Sequence, residues 1–322
     1  MSAGGACILE GDVLDRLAEM PDESVNCVVT SPPYWGLRDY GADGQIGLEE
    51  SLDEHIAKMV AVFAEVRRVL RSDGVMWLNY ADMYHGGGYA NHKINGTKWL
   101  EEHGGDRRRS RQQDRINANP DIKPKDLCGM PWRVAFALQA DGWYLRSDVI
   151  WHKPNPMPES CTDRPTKSHE YVFLMTKSAK YWYDADAVRE PSKTRFHSIG
   201  GFREGVIDNA QTPKEYRNTS RDRTGKNIRT VWTIPTEPMP DAHFATFPQK
   251  LAHRCILAGC PIGGNVLDPF SGSGTTVYVA AKNDRNGIGI ELNPEYVEIS
   301  RRRLSGDLFI DLVIKTAGSS NV

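Results

Sequence analysis

In NVLDPFSGSGTTVYVAAKNDRNGIGIEL, residues 265–292, an apolar run ends at Asp268 and a loop carrying Gly272 and Gly274 follows; an apolar segment of helical spacing and a second strand closing on Glu291 complete the stretch. Strand, loop, helix and strand in that order predict one unit of a parallel sheet. Glycine between strand and helix lets backbone N–H groups approach a ligand at the helix N-terminus. A carboxylate ending the next strand is placed to accept both hydroxyls of a ribose. The third glycine of a dinucleotide fingerprint would fall at Val277, and the Gly-Lys-Ser/Thr ending of a phosphate-cradling loop is missing. A ligand with a ribose and no pyrophosphate fits better, and S-adenosylmethionine is the candidate.

The rest of the chain repeats this alternation. ACILEG (6–11) and VNCVVT (25–30) read as strands, the second nearly continuously apolar, as for a strand covered on both faces. Residues 51–74 predict a helix with Ser51 and Glu54 as a capping box and Gly74 as its stop. VMWLNY (75–80) reads as a strand and PWRVAFALQADG (131–142) as a helix, with Pro131 in its first turn and Gly142 after its end. YLRSDVIWHK (144–153) and EYVFLMTKS (170–178) read as strands, and NPEYVEISRRRL (293–304) begins a helix. The fold expected is α/β, a doubly wound, mainly parallel sheet.

The chain has 322 residues, with 40 Lys and Arg against 42 Asp and Glu, a net charge of −2. That balance argues against a wholly basic nucleic-acid binder and leaves a local basic face open. No signal peptide and no membrane span are read, and six cysteines without a C-x-x-C pair predict reduced thiols in a cytosolic protein. Two stretches break the α/β rhythm. Residues 84–127 contain GGDRRRSRQQDR, with Arg107, Arg108, Arg109 and Arg111, and residues 185–242 are polar with an excess of basic over acidic residues between Arg189 and Arg229. Loops this long inside a compact domain are functional or disordered.

VVTSPPYWGL (28–37) is the second chemical signal: a β-branched run stops at Ser31 and two prolines and two aromatics follow. TSPPYW (30–35) near the N-terminus together with VLDPFSGSGTT (266–276) near the C-terminus resembles the β-class amino DNA methyltransferases, which modify cytosine N4 or adenine N6. That resemblance implies a permuted order, catalytic tetrapeptide first, recognition region in the middle and cofactor loop last, on a Rossmann-like seven-stranded sheet with an inserted DNA-recognition region. LEGDVLDRL (9–17) resembles the family's segment bordering the cofactor adenine. VIWHKPNPMPES (149–160) and HEYVFLMTKS (169–178) resemble the strands flanking the base pocket, and HFATFPQKL (243–251) the segment over the methionine end of the cofactor. Residues 84–127 have no clear counterpart in the minimal pattern.

The resemblance implies catalytic residues Ser31, Pro32, Pro33 and Tyr34. It implies cofactor-binding residues Asp12, Phe247, Asp268, Phe270, Ser271, Gly272, Ser273, Gly274, Thr275, Glu291 and Asn293. The cofactor expected is S-adenosyl-L-methionine, and no metal site is expected. The division expected is 1–184 for the catalytic half, 185–242 for target recognition and 243–322 for the cofactor half. The expected partner is duplex DNA, with a homodimer and a cognate restriction endonuclease left open, no membrane, and action in the cytoplasm of a bacterium or a phage host.

The chemistry accounts for the tetrapeptide. A base inside a duplex cannot present its exocyclic amine to a sulfonium methyl group, so it must be extruded into a pocket. Tyr34 supplies a stacking face, the Pro32 carbonyl accepts a hydrogen without a competing donor, and Ser31 Oγ accepts a second. Transfer is then direct and in line, by positioning and electrostatics. Trp35, Trp151 and Lys153 are secondary candidates for the pocket, with core packing the competing assignment for the two tryptophans. His152 reads as an ordinary polar residue, and no Pro-Cys pair offers the nucleophile of carbon-5 enzymes. Cytosine N4 is favoured because Ser precedes Pro-Pro-Tyr, a correlation that the resemblance carries. Adenine N6 on the same fold is the alternative; a nicotinamide-dependent oxidoreductase, a non-catalytic DNA-binding module and an RNA substrate are more distant ones.

Overall fold

The computed structural model describes residues 4–36, 44–85, 122–191, 225–237, 248–307 and 310–316. Its strands are β1 (Gly5–Glu10), β2 (Val25–Thr30), β3 (Leu70–Tyr80), β4 (Tyr144–His152), β5 (His169–Thr176), β6 (Val231–Thr233), β7 (Asn265–Asp268), β8 (Asn286–Glu291) and β9 (Asp311–Lys315). The helices among the described residues are α1 (Val13–Ala18), α2 (Leu52–Val69), α3 (Met130–Ala140), α4 (Gln249–Gly259), α5 (Thr275–Ala281) and α6 (Pro294–Ser305).

All these strands join one sheet in the order β6-β4-β5-β3-β2-β7-β8-β1-β9. Among them only β5 runs antiparallel, to both β3 and β4. The expected seven strands are present as β4-β5-β3-β2-β7-β8-β1, and the sheet is extended to nine by β6 and β9 at its edges. Three residues carry no periodicity, so β6 leaves no signal in the sequence. It is held by Trp232, which is buried and lies 5.7 Å from Trp77. Most of the expected recognition region, 192–224 and 238–242, and most of the insertion, 86–121 with the arginine run, lie outside the described residues. The part of 185–242 that is described includes β6, which pairs in parallel with β4 and anchors this region on the catalytic sheet.

The sheet is covered on both faces. Val28, Met76 and Leu78 pack with Met59 and Phe63 of α2 and with Val134 and Leu138 of α3. Val29, Trp77 and Leu174 pack with Leu251 and Ile256 of α4 on the other face. Each such side chain, fully buried, stabilises the fold by roughly 1.5–3 kcal/mol. The Ser51 hydroxyl caps α2 by accepting from Glu54 N–H at 3.1 Å, while Glu54 returns its bond to Glu50 N–H at 3.2 Å, one residue before the capping box would place it. The helix ends at Val69, and Gly74 is not its stop. Leu70 turns directly into β3 opposite Val25, and a Cβ at Gly74 would stand 2.6 Å from Leu70 Cδ1.

The chain leaves β7 toward β8 on one side, while β2 flanks β7 on the other. Ligands of open α/β sheets bind at such a switch point, beyond the carboxyl ends of the strands. The loop after β7 and the turn after β2 therefore emerge side by side.

Candidate active site

A cavity of about 300 Å³ opens at that edge. Ser31, Pro32, Pro33 and Tyr34 line it on one side; Phe270, Ser271, Gly272, Ser273, Thr275, Glu291, Asn293 and Asp12 line it on the other. The two motifs separated by most of the chain share one space.

The glycine loop is held by Glu291. Its Oε2 accepts from Gly272 N–H at 2.7 Å and its Oε1 from Asn293 N–H at 2.8 Å. Burial pushes the Glu291 carboxyl above its ordinary value, partly opposed by these backbone bonds. A carboxylate has about four lone-pair sites, so acceptor capacity remains for a ribose hydroxyl. Gly272 has φ +53°, and a Cβ there would meet nothing within 4 Å; Gly274 has φ +75°, and a Cβ there would stand 3.0 Å from Ser300 Oγ. In a dinucleotide fold the third glycine allows close helix–strand packing. Here Val277 holds that place, and the strand makes the room instead. A Cβ on Gly287 would come within 2.6 Å of the Val277 backbone, and one on Gly289 within 2.3 Å of Ser271 Oγ.

Asp12 and Asn293 serve as helix caps at the rim of the cavity. Asp12 Oδ1 accepts from Leu14 N–H at 2.8 Å, and Asn293 Oδ1 from Glu295 N–H at 2.8 Å. Thr275 accepts from Arg303 Nη1 at 2.9 Å. Asp268 and Gly274 do not line the cavity. The Asp268 carboxyl is buried behind the loop, bonded to Thr30 and Thr276. Phe247 lies outside the described residues.

On the catalytic side Tyr34 lies against Tyr80, with ring centroids 4.8 Å apart and planes at 33°. The Ser31 and Tyr34 hydroxyls are 2.8 Å apart; Tyr34 donates to Glu170 Oε2 at 3.1 Å, and Asn79 Nδ2 donates to Tyr34 Oη at 3.0 Å and to Glu170 Oε2 at 2.8 Å. Lys153 Nζ pairs with Glu170 Oε1 and lies 4.4 Å from the centre of the Trp151 ring. Burial first, and then the Glu170 charge, push the Tyr34 phenol well above its ordinary value. Trp151 and Lys153 line the cavity. Trp35 is core, its Nε1 donating to the Glu49 carbonyl at 3.1 Å. His152 lies beside Thr233 Oγ1 at 3.1 Å.

Sequence reasoning missed Asn79 and Glu170. Each is a polar residue in an otherwise apolar run, which is a weak signal. What brings Glu170 to the site is the reversed direction of β5, which sets its first residues beside the last residues of β3 (Tyr80 opposite Tyr171).

A brace behind the turn was also not foreseen. His55 Nδ1 meets Glu49 Oε2 at 2.8 Å and its Nε2 meets the Tyr80 hydroxyl at 2.7 Å, all three residues buried. Burial would raise the Glu49 carboxyl, but the His55 hydrogen bond, its own backbone N–H and Lys58 hold it at about 2. The Glu49 carboxylate also accepts from Gly47 N–H at 3.0 Å, and Gly36 N–H donates to the Gly47 carbonyl at 2.8 Å. The proline turn is thus tied to a buried hydrogen-bonded carboxylate.

The sequence profile described as DNA methylase, that of the N6/N4 enzymes, matches residues 25–302. The chain belongs to the N6/N4 DNA methylase family. The Type II methyltransferase M.Cfr9I of Citrobacter freundii is 48% identical over 310 residues, covering 95% of this chain and 90% of that protein. The Type II methyltransferase M.SmaI of Serratia marcescens is 46% identical over 298 residues, covering 92% and 90%. Among solved structures, the cytosine-N4-specific PvuII DNA methyltransferase superposes with a TM-score of 0.61 at 21% identity, covering 94% of this chain and 87% of that one. TTHA0409 of Thermus thermophilus, complexed with S-adenosyl-L-methionine, gives 0.57 at 22% identity, covering 96% and 99%. At those identities the likeness is one of fold. As a DNA methylase of this family the chain is an enzyme that uses S-adenosylmethionine and acts on DNA. The cavity suits that cofactor: Glu291 offers acceptors to a ribose, beside the close-approach backbone of Gly272. Among the described residues no cluster of His, Cys, Asp or Glu could hold a metal ion, and no helix is long and apolar enough to cross a membrane.

Proposed function

We propose that the chain methylates the exocyclic N4 of cytosine in duplex DNA, at a specific site and after extruding the base. The observation that carries this is the shared cavity, in which the Ser31-Pro32-Pro33-Tyr34 turn faces the Gly272 loop and Glu291. S-adenosylmethionine supplies an electrophilic methyl group on a sulfonium. Tyr34 offers the face on which the extruded base stacks. Ser31 Oγ and the Pro32 carbonyl accept the two amine hydrogens, which aims the nitrogen lone pair toward the methyl carbon. Glu291 anchors the ribose, with Asp12 at the adenine border. Phe270, Ser271, Ser273, Thr275 and Asn293 form the remaining wall, and Asp268 and Gly274 shape the loop from behind. Phe247 is proposed over the methionine end. Cytosine is supported by the short neutral side chain of Ser31, which leaves the Pro32 carbonyl as the main acceptor. Adenine N6 is the second reading, since an amide or carboxylate is not needed to bind its amine.

Residues 185–242 are proposed to read the target sequence, between a catalytic half at 1–184 and a cofactor half at 243–322, with phosphate contacts from Arg107, Arg108, Arg109 and Arg111. The Type II names of the relatives support a role beside a cognate restriction endonuclease in a bacterial cytoplasm; a homodimer stays open. Methylation-aware sequencing of DNA from cells expressing the chain tests the proposal. Modified cytosine at one recurring sequence supports it, and DNA without any new mark defeats it.

A further inference from the structure

We infer that Glu170 is the final acceptor of the proton that the substrate amine loses, reached through Tyr34 and Ser31. The inference rests on the amino-methyltransferase function proposed above.

The hydrogen-bond directions follow from one end of the network. A carboxylate only accepts. Glu170 Oε1 takes the Lys153 ammonium, and Oε2 takes Asn79 Nδ2 at 2.8 Å and the Tyr34 hydroxyl at 3.1 Å. Tyr34 has a single proton, and it goes to Glu170. In the 2.8 Å contact between Ser31 and Tyr34 the serine must therefore donate and Tyr34 Oη accept. Asn79 Nδ2 also donates to Tyr34 Oη, at 3.0 Å, which fills its acceptor side. The Ser31 proton is thus spent on Tyr34; Asn79 Nδ2 also lies 3.4 Å from Ser31 Oγ, and the acceptor capacity that the oxygen keeps is what it offers to an amine hydrogen. Glu170, which itself lines the cavity, turns the serine into an acceptor for an amine hydrogen by holding the Tyr34 proton.

The same chain of bonds carries charge out of the site. When the amine nitrogen bonds to the methyl carbon, the carbon–sulfur bond breaks and its electron pair stays on sulfur, so the positive charge moves to nitrogen. As that charge develops, one amine proton passes to Ser31 Oγ, the Ser31 proton to Tyr34 Oη, and the Tyr34 proton to Glu170 Oε2, so the relay lowers the barrier to transfer itself. Nitrogen and sulfur end neutral, and the carboxylate becomes a carboxylic acid. An alkylated aryl ammonium is a strong acid, so a carboxylate is a sufficient base. Tyr34 hands the proton on without resting as a phenolate, because burial and the nearby carboxylate oppose that charge.

The test compares Glu170→Gln, Tyr34→Phe and the double variant with the wild type. Single-turnover methyl transfer is measured on a duplex carrying the sequence that the wild type modifies, and cofactor and DNA affinities are titrated separately. Glutamine still accepts from Tyr34 but cannot take its proton, and phenylalanine keeps the ring while breaking the path. Each single variant is expected to lose about a hundredfold in the transfer rate, with both affinities within about threefold of wild type. The double variant should lose no more than either single one, because the two residues serve one path. A Glu170→Gln rate within about threefold of wild type, losses that multiply in the double variant, or a loss matched by weaker DNA binding would each overturn the relay alone. A wild-type chain that transfers no methyl group would overturn the function itself, and the relay with it.

Discussion

Thr30 Oγ1 donates to Asp268 Oδ1 at 2.7 Å, joining the last residue of β2 to the last residue of β7 across 238 positions of chain. One bond thus fixes the start of the catalytic turn against the start of the cofactor loop. The same oxygen accepts from Phe270 N–H at 3.1 Å, so the loop's first turn is set by the residue that holds the neighbouring strand. Methyl transfer depends on the distance between the amine and the methyl carbon, and this contact joins the ends of the two paired strands from which the turn and the loop emerge.

Burial pushes the Asp268 carboxyl up to about 6, against the hydrogen bonds from Thr30 and Thr276. Thr276 has one proton and two neighbouring acceptors, Val29 O at 3.1 Å and Asp268 Oδ2 at 2.8 Å, so a protonated Asp268 satisfies both by donating to Thr276 itself. The unfolded carboxyl ionises near its ordinary value of about 4. Folding therefore takes up a proton between those two values, and the stability from this group falls as pH rises through that window, by about 3 kcal/mol in all. Asp268→Asn donates from the same place without titrating. Denaturation at a series of pH values should show the wild type losing stability relative to this variant from about pH 4 to 6, with cofactor affinity little changed. A constant difference across that range would contradict the assignment.

Glu291→Ala removes charge-assisted hydrogen bonds to the ribose worth about 1.5–3 kcal/mol, so the cofactor dissociation constant should rise roughly tenfold to a hundredfold. Gly272→Val should weaken binding too, because valine is strained at φ +53° and its side chain enters the cavity. Because burial raises the Glu291 carboxyl, wild-type affinity should decline as the medium is made acid, with Glu291→Gln lacking that decline. Calorimetric titration reads all three, and unchanged affinity in the folded variants would remove the loop from the cofactor site.

Tyr34→Ala should lower turnover and leave cofactor binding intact. Base–aromatic stacking is worth about 1–3 kcal/mol, and its loss should reduce the extruded population of a fluorescent base analogue at the target. Wild-type fluorescence and turnover in the variant would take Tyr34 out of the pocket.

Glu49→Ala leaves His55 and Lys58 without their carboxylate and frees Gly47. Losing hydrogen bonds to a buried carboxylate costs about 1.5–3 kcal/mol each. The thermal midpoint should drop, and near-ultraviolet circular dichroism from the Trp35 region should change with it. Full stability in the variant would show that the brace contributes nothing.

The strands and the glycine loop were legible because each signal is local. Apolar runs, a cap at Ser51 and glycines at fixed offsets need no knowledge of the rest of the chain. The Ser31 turn was legible because two prolines after a buried strand are chemically conspicuous. What escaped depends on topology. Glu170 reaches the cavity only because β5 is reversed, and Glu49, His55 and Tyr80 meet only after α2 packs on β3. Asp268 entered through the resemblance alone, and no local signal tells that its carboxyl is turned into the core.

The identity of the modified atom separates cytosine N4 from adenine N6 and from any other product. Duplex DNA treated with the purified chain and methyl-labelled cofactor is digested to nucleosides, which are separated and weighed. The label is predicted in N4-methyldeoxycytidine. Label in N6-methyldeoxyadenosine would contradict the cytosine assignment, and label in neither would contradict the amino-methyltransferase account as a whole.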